Sequence, residues 1–269
     1  ALAANLGGDA VEPAGDGPGF VEVAGVVFPE QGAADAGLGG DVQDLGAGLA
    51  LLEGLVGPPL ALLAQAIGLV GAGRTEIIRA ICGADKAKGH TVLIDGKTVR
   101  IKKPAHAKRA GIGLVPEDRK LQGLVLPFSV QSNITMACLE RLRKGGFVRA
   151  SAEKEIALRQ IKNLSIKTPT PQTKTVSLSG GNQQKCIIGR WLEINPRILI
   201  LDEPTRGIDV GTKYEIYVLI KQIAENGGSV IMISSELPEV LNMSNRVLVI
   251  SDGRITGEFN PEVESRSEE

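Results

Sequence analysis

Gly68-Leu69-Val70-Gly71-Ala72-Gly73-Arg74-Thr75 has the spacing of a phosphate-cradling loop, G-x-x-x-x-G-K-[ST], with Arg74 standing where that loop carries lysine. In such a loop, successive backbone N–H groups and the positive end of the following helix hold phosphates. The lysine reaches the outer phosphates and the hydroxyl holds Mg2+. The context fits, because Ala66-Ile67-Gly68-Leu69-Val70 predicts a short buried strand and Thr75-Glu76-Ile77-Ile78-Arg79-Ala80-Ile81 the helix it feeds. No shift of register restores the lysine, since the chain has none before Lys86. A guanidinium is a wide planar fork rather than a compact point charge, so Arg74 can pair with phosphate oxygens without filling the lysine's place.

A chain of 269 residues with 43% hydrophobic and 23% charged residues can bury a core of useful size in one large or two small domains. Its net charge of -1 gives no general attraction to nucleic acid, and 3% aromatic residues leave few rings for stacking bases. Nucleic acid is therefore not an expected partner. No apolar run approaches the roughly 20 residues of a membrane-spanning helix, and the first residues lack the basic start of a secretory signal. The expected location is the cytoplasm. Cys82, Cys138 and Cys186 are scattered and odd in number, which predicts reduced thiols rather than a disulfide framework or metal cage.

Residues 1–66 differ from the rest. They contain no Lys, Arg, Ser or Thr and consist mainly of Gly, Ala, Leu, Val, Asp and Glu. Phe20-Val21-Glu22-Val23 and Val26-Val27-Phe28 have strand-like composition, and Leu49-Ala50-Leu51-Leu52 suits a strand or a helix. From Ile67 onward apolar runs of strand length alternate with longer amphipathic stretches, the texture of an α/β protein. Thr91-Val92-Leu93-Ile94 and Thr98-Val99-Arg100-Ile101 read as a hairpin, and Gly113-Leu114-Val115 as a further strand. Helical segments fall between Ser129 and Ser165, with Ser151 and Glu153 to Ile156 suggesting a capped start at Ser151. Next come a helix over 181–191, strands over 198–201 and 229–233, a helix over 212–225 and a strand over 246–250.

Ile198-Leu199-Ile200-Leu201-Asp202-Glu203 is four apolar residues ending in two carboxylates. A buried strand of this kind can place Asp202 beside a metal at its carboxyl end, with Glu203 close enough to polarise a water. Just before it, Leu178-Ser179-Gly180-Gly181-Asn182-Gln183-Gln184-Lys185 supplies a second anion-binding helix start, with Ser179 and the Gly180-Gly181 amides at its head. One domain needs a single such start for its own nucleotide. The second would serve a nucleotide held by another domain, which implies a head-to-tail sandwich of two domains.

On these motifs the chain resembles an ABC-transporter ATPase domain from about Ile67 to about Phe259, with Leu178 to Gln184 as signature motif and Ile198 to Glu203 as Walker B. Pro204-Thr205-Arg206-Gly207-Ile208-Asp209 resembles the D-loop of that family. GLVGAGRTE, VPEDRK, LSGGNQQK, DEPTRGID and ISSELPE together resemble the second, C-terminal ATPase domain of bacterial monosaccharide importers of the ribose and galactose type. The resemblance implies a P-loop α/β fold with a mostly parallel core sheet, an antiparallel β-subdomain and a helical subdomain over about 128–180. Residues 1–66 would form an atypical leading segment, possible kin to the β-subdomain, residues 67–260 the nucleotide-binding domain, and residues 261–269 a polar tail.

The resemblance also implies function: ATP and Mg2+ as ligands, and hydrolysis coupled to uptake of a monosaccharide. Gly68, Gly71, Ala72, Gly73, Arg74, Thr75 and Glu76 would line the nucleotide, with Thr75 and Asp202 on the metal and Glu203 as catalytic residue. Ser179, Gly180, Gly181, Asn182 and Gln183 would face the ATP of the second ATPase domain, with Asp209 at the same interface. Membrane-spanning permease subunits would dock near Leu121 to Val130, and a periplasmic or extracellular sugar-binding protein would act through them. The chain would then sit peripherally on the inner face of the membrane. Phe20 and Phe28 are candidates for stacking on adenine.

Three positions depart from a competent member of the family: Arg74 for the lysine, Glu117 for the Q-loop glutamine and Ser235 for the switch histidine. His90 and His106, the two histidines of the chain, both lie far upstream. Glu117 adds negative charge that Mg2+ could accept but phosphates would resist, and Ser235 is shorter than imidazole. Losing one preorganised donor costs on the order of 3 kcal/mol of transition-state stabilisation, or a hundredfold in rate. These departures predict a site on this chain that binds nucleotide better than it hydrolyses it, beside a competent site completed across the interface. A soluble ABC ATPase would predict a coiled-coil insertion or a basic face, and a P-loop kinase gives the signature no role. A regulatory nucleotide-binding module is the remaining alternative, against which Glu203 argues.

Overall fold

Ile198–Asp202 is apolar over four successive residues because it is covered on both faces, and all five residues are buried. A computed structural model describes residues 25–26, 63–67, 73–86, 92–94, 97–251 and 254–261. Their strands are β1 (Gly25–Val26), β2 (Leu63–Ile67), β3 (Val92–Ile94), β4 (Lys97–Val99), β5 (Ile112–Val115), β6 (Arg143–Lys144), β7 (Phe147–Val148), β8 (Ile198–Asp202), β9 (Ser229–Ser234), β10 (Arg246–Ser251) and β11 (Arg254–Phe259). Their helices are α1 (Arg74–Ile81), α2 (Pro104–Arg109), α3 (Val130–Thr135), α4 (Leu139–Leu142), α5 (Ala150–Asn163), α6 (Gly180–Leu192), α7 (Val210–Glu225) and α8 (Leu237–Met243).

The described strands build a seven-stranded sheet in the order β11-β10-β1-β2-β9-β8-β5. Its neighbours run parallel except β11, which turns back antiparallel on β10. Two small antiparallel hairpins, β3-β4 and β6-β7, lie apart from it. Alternation along β8 divides the core into two layers. Ile198 and Ile200 join Ile77 and Ile81 of α1 and Val92 and Ile94 of β3, whereas Leu199 and Leu201 join Ile187 and Ile188 of α6 and Ile216 and Ile220 of α7. Each such side chain, fully buried, contributes about 1.5–3 kcal/mol relative to exposure. The parallel strands therefore deliver their carboxyl ends to one edge, where Val115, Asp202 and Ser234 finish their strands.

The expected α/β alternation is present, with shifted boundaries. A strand at Leu63–Ile67 includes the first two residues of the one expected over 66–70, whose other residues lie outside those described, and α6, α7 and β9 each extend one or two residues beyond the expected spans. The capped start at Ser151 does not occur: α5 begins at Ala150 behind Arg149, with no side-chain cap. The residue three positions after Ser151 is Lys154, which cannot close a capping box, and the Glu153 carboxylate accepts a hydrogen bond from Thr135 Oγ1 on α3 at 2.9 Å. Arg190 of α6 fastens α3 in turn, its Nε donating to the Asn133 carbonyl at 2.7 Å. The three cysteines are free and buried, and burial pushes the Cys82 and Cys186 thiols up to about 12. Apart from Gly25–Val26 and Leu63–Ile67, the readings made on residues 1–72, including Phe20, Phe28, 49–52, Gly68, Gly71 and Ala72, lie outside the described residues. So does the tail after Pro261.

Candidate active site

Helix α1 starts at the sheet's carboxyl edge because Gly73, its N-cap, holds φ +87°, a conformation that favours glycine. This start brings Thr75 against the end of β8, where its Oγ1 donates to Asp202 Oδ2 at 2.9 Å. Asp202 is 1% exposed. Burial, resisted by the Thr75 hydrogen bond, raises its carboxyl to about 6. Its other oxygen, Oδ1, is buried without a hydrogen-bond partner among the described residues. An orphaned carboxylate oxygen beside a hydroxyl is a donor set suited to a hard divalent cation, so the residues present fit Mg2+. Glu76 lies exposed in the first turn of α1.

Glu203 follows directly and adopts φ +45°, an uncommon conformation for a side chain of this kind. Its N–H donates to the Ile233 carbonyl at 2.9 Å, which fixes the bend against β9. The side chain is engaged at both oxygens: Arg74 Nη1 donates to Oε1 at 3.1 Å, and Ser235 Oγ donates to Oε2 at 3.1 Å. Arg74 and Glu203 are each 7% exposed, so the ion pair is shielded from water. The three residues brought together here come from the phosphate loop, the Walker B strand and the switch position. A carboxylate has about four lone-pair sites, so these two bonds fix its position while leaving room to accept a further donor.

Glu117, expected beside the nucleotide, pairs with Arg206 of the loop that follows Glu203. At the second helix start, exposed Ser179 is the N-cap of α6 but makes no side-chain cap. Its Oγ accepts from Asn182 Nδ2 at 2.8 Å, while Asn182 Oδ1 accepts from the Lys167 N–H at 2.7 Å. Gly181 is a packing requirement, because a Cβ there would lie 2.2 Å from Thr212 Cγ2. Gln183 turns inward, 5% exposed, and donates to the Thr175 carbonyl at 3.0 Å. Asp209 caps α7, accepting from the Thr212 N–H at 3.0 Å.

Sequence reasoning missed Glu239, which is 5% exposed and accepts from Thr205 Oγ1 at 2.9 Å and from Ser234 Oγ. It links the loop behind Glu203 to the strand end before Ser235, and burial raises its carboxyl above the ordinary range. The only available signal was a glutamate following Leu237-Pro238, a composition that equally suits a solvated helix.

A parallel sheet with a glycine-started helix and a threonine–aspartate pair at the end of a buried strand defines a P-loop nucleotide-binding cassette. The chain belongs to the ABC transporter family, whose model matches residues 63–206. It is 52% identical over 188 residues to the ribose import ATP-binding protein RbsA of Geobacillus kaustophilus, an alignment covering 70% of this chain and 38% of that protein. To the xylose import ATP-binding protein XylG of Paraburkholderia xenovorans it is 53% identical over 193 residues, covering 71% and 37%. The chain thus spans well under half the length of these relatives. Among solved structures, a bacterial ABC transporter cassette in dimeric form is similar at TM-score 0.61 and 25% identity, over 72% of this chain and 83% of that one. An ATP-binding cassette of an ABC transporter in its ADP conformation gives TM-score 0.61 and 25% identity, over 75% and 81%. The fold is the P-loop ABC ATPase fold expected from the motifs.

Proposed function

We propose that this chain is an ATP-binding domain of a monosaccharide importer, occupying the place of the second, C-terminal ATPase domain. In that reading ATP binding and hydrolysis are coupled to sugar uptake. The observation that carries it is the set Arg74, Glu203 and Ser235, in which the residue replacing the lysine and the residue replacing the histidine jointly hold the catalytic carboxylate. Similarity to proteins named for ribose, xylose and arabinose import supports the sugar class. The transported sugar would be met by permease and binding-protein subunits, with this chain peripheral on the cytoplasmic face.

Gly68 to Glu76 would cradle the phosphates of ATP. Thr75 and Asp202 would hold Mg2+, which when bound neutralises charge on the phosphate oxygens. Glu203 would receive the proton of an attacking water, with Arg74 and Ser235 fixing its orientation. With arginine and serine in the places of the lysine and the histidine, the site on this chain would retain nucleotide longer than it hydrolyses it. Ser179 to Gln183 would complete the competent site on the opposing domain, with Asp209 alongside. Similarity to a dimeric cassette supports a pairing of this kind. Exposed Leu121, Val125 and Phe128 lie in the segment expected to meet the permease, and burying their apolar surface would contribute to docking.

The test is ATP binding and turnover by this chain alone and after mixing with its partner domain. The chain alone should bind ATP with little turnover, and mixing should raise turnover through Ser179. Robust turnover by the isolated chain, abolished by Glu203→Gln, would overturn the reading. The same clamp on Glu203 also favours a second reading, a regulatory module that binds but never hydrolyses. It predicts that mixing yields no turnover dependent on Ser179.

A further inference from the structure

Val115-Pro116-Glu117-Asp118-Arg119-Lys120 contains one residue to which the site above gives no role. Arg119 begins a five-residue π-helical turn, Arg119–Gly123, closed by Asp118, whose Oδ1 accepts from the Lys120 and Leu121 N–H groups at 2.9 and 3.0 Å. From this fixed base the guanidinium reaches across to the loop after Walker B. Its Nη1 donates to the Arg206 carbonyl at 2.8 Å and its Nη2 to the Gly207 carbonyl at 3.2 Å. The same Nη2 lies so close to the first residue of α6 that a Cβ on Gly180 would sit 2.9 Å from it. Two residues earlier, Glu117 pairs with the Arg206 side chain and ties the same two segments a second time.

The other end of that loop is fastened to the same helix. Asp209 receives the Thr212 hydroxyl at 2.9 Å, and Thr212 packs on Gly181. Arg119 thus closes one side of a unit whose other side is Thr212. Its Nε is buried without a hydrogen-bond partner among the described residues, a cost that an apolar filler of similar length would not carry. A planar fork can serve two successive carbonyls at once, which an ammonium cannot do in the same geometry.

We infer that Arg119 is a positioning residue that locks the 206–209 loop to the head of α6, so that Ser179 and Asp209 are presented to the opposing domain's nucleotide as one rigid piece. This rests on the reading that Ser179 completes the opposing site. The test uses the assembled transporter containing this chain. Arg119→Ala should lower kcat about tenfold or more, because small misplacements of preorganised groups carry large rate penalties. KM for ATP should change by less than about threefold. Arg119→Lys, which keeps charge and bulk, should fail to restore kcat. Gly180→Ala should lower kcat in the same direction, and the double variant should be no worse than the poorer single one. Wild-type kcat in Arg119→Ala, full rescue by lysine, or strictly additive losses would overturn the inference. Ser179→Arg serves as the control. If it leaves turnover intact, the shared-site reading itself fails. If it abolishes turnover while Arg119→Ala does not lower it, only the role of Arg119 fails.

Discussion

The carboxyl edge of the sheet and the head of α6 are the two places where the sequence suggests phosphate binding, and they are finished in opposite ways. At the sheet edge, Arg74 and Ser235 satisfy both oxygens of buried Glu203, and charge is balanced within the chain. At the head of α6, Ser179 is exposed and its hydroxyl does not cap the helix. One edge is closed on itself and the other is open to a partner. In the proposed reading, a single fold would hold nucleotide at one place and offer transition-state donors at another.

The largest expected effect comes from opening the closed edge. Arg74→Met leaves the buried Glu203 carboxylate without its cation and should destabilise the chain by about 3–5 kcal/mol, read as a lower urea midpoint. Arg74→Lys should recover much of that loss. If both variants unfold like the wild type, the clamp on Glu203 has no energetic substance and the contrast between the edges weakens.

A smaller effect is expected where the open edge is anchored. Gly181→Ala forces a methyl group into Thr212 and should cost about 1–3 kcal/mol, measured by the same denaturation. Coupling with Thr212→Ser, which removes the obstructing Cγ2, should relieve most of it. Absence of relief would place the strain elsewhere.

The smallest effect concerns Glu239, which joins the closed edge to its second layer through Thr205 and Ser234. Burial holds its carboxyl above the ordinary range, so the folded chain binds this proton more tightly than the unfolded chain does. The sign follows: the contribution is present below the ordinary carboxylate range and is lost as pH rises through the raised value. Glu239→Gln removes that loss, so its stability relative to wild type should improve as pH rises above the ordinary carboxylate value of about 4. A difference independent of pH would mean that Glu239 titrates as it does in the unfolded chain.

What was legible in the sequence follows from which signals are local. β8 could be read because four apolar residues ending in two carboxylates have few other uses, and α1 because its glycine-rich approach and apolar spacing agree. The β6-β7 hairpin, α8 and β11 were not read. Two-residue strands carry no periodicity, and α8 is a seven-residue helix that exposes Leu237 and Leu241. The threonine–aspartate pair was anticipated because both residues belong to one known phosphate chemistry. The clamp on Glu203 was not, since Arg74 and Glu203 are 129 residues apart and nothing local says that their charges meet. Likewise Gln183 reads as part of an exposed signature, and only packing against Thr175 turns it inward.

The contrast between the two edges is tested most directly by ATP turnover of the assembled pair carrying Glu203→Gln or Ser179→Arg in this chain, measured side by side. The account predicts that Glu203→Gln changes turnover by less than about threefold while Ser179→Arg lowers it about a hundredfold or more. A reversal, with Glu203→Gln abolishing turnover and Ser179→Arg leaving it intact, would contradict it.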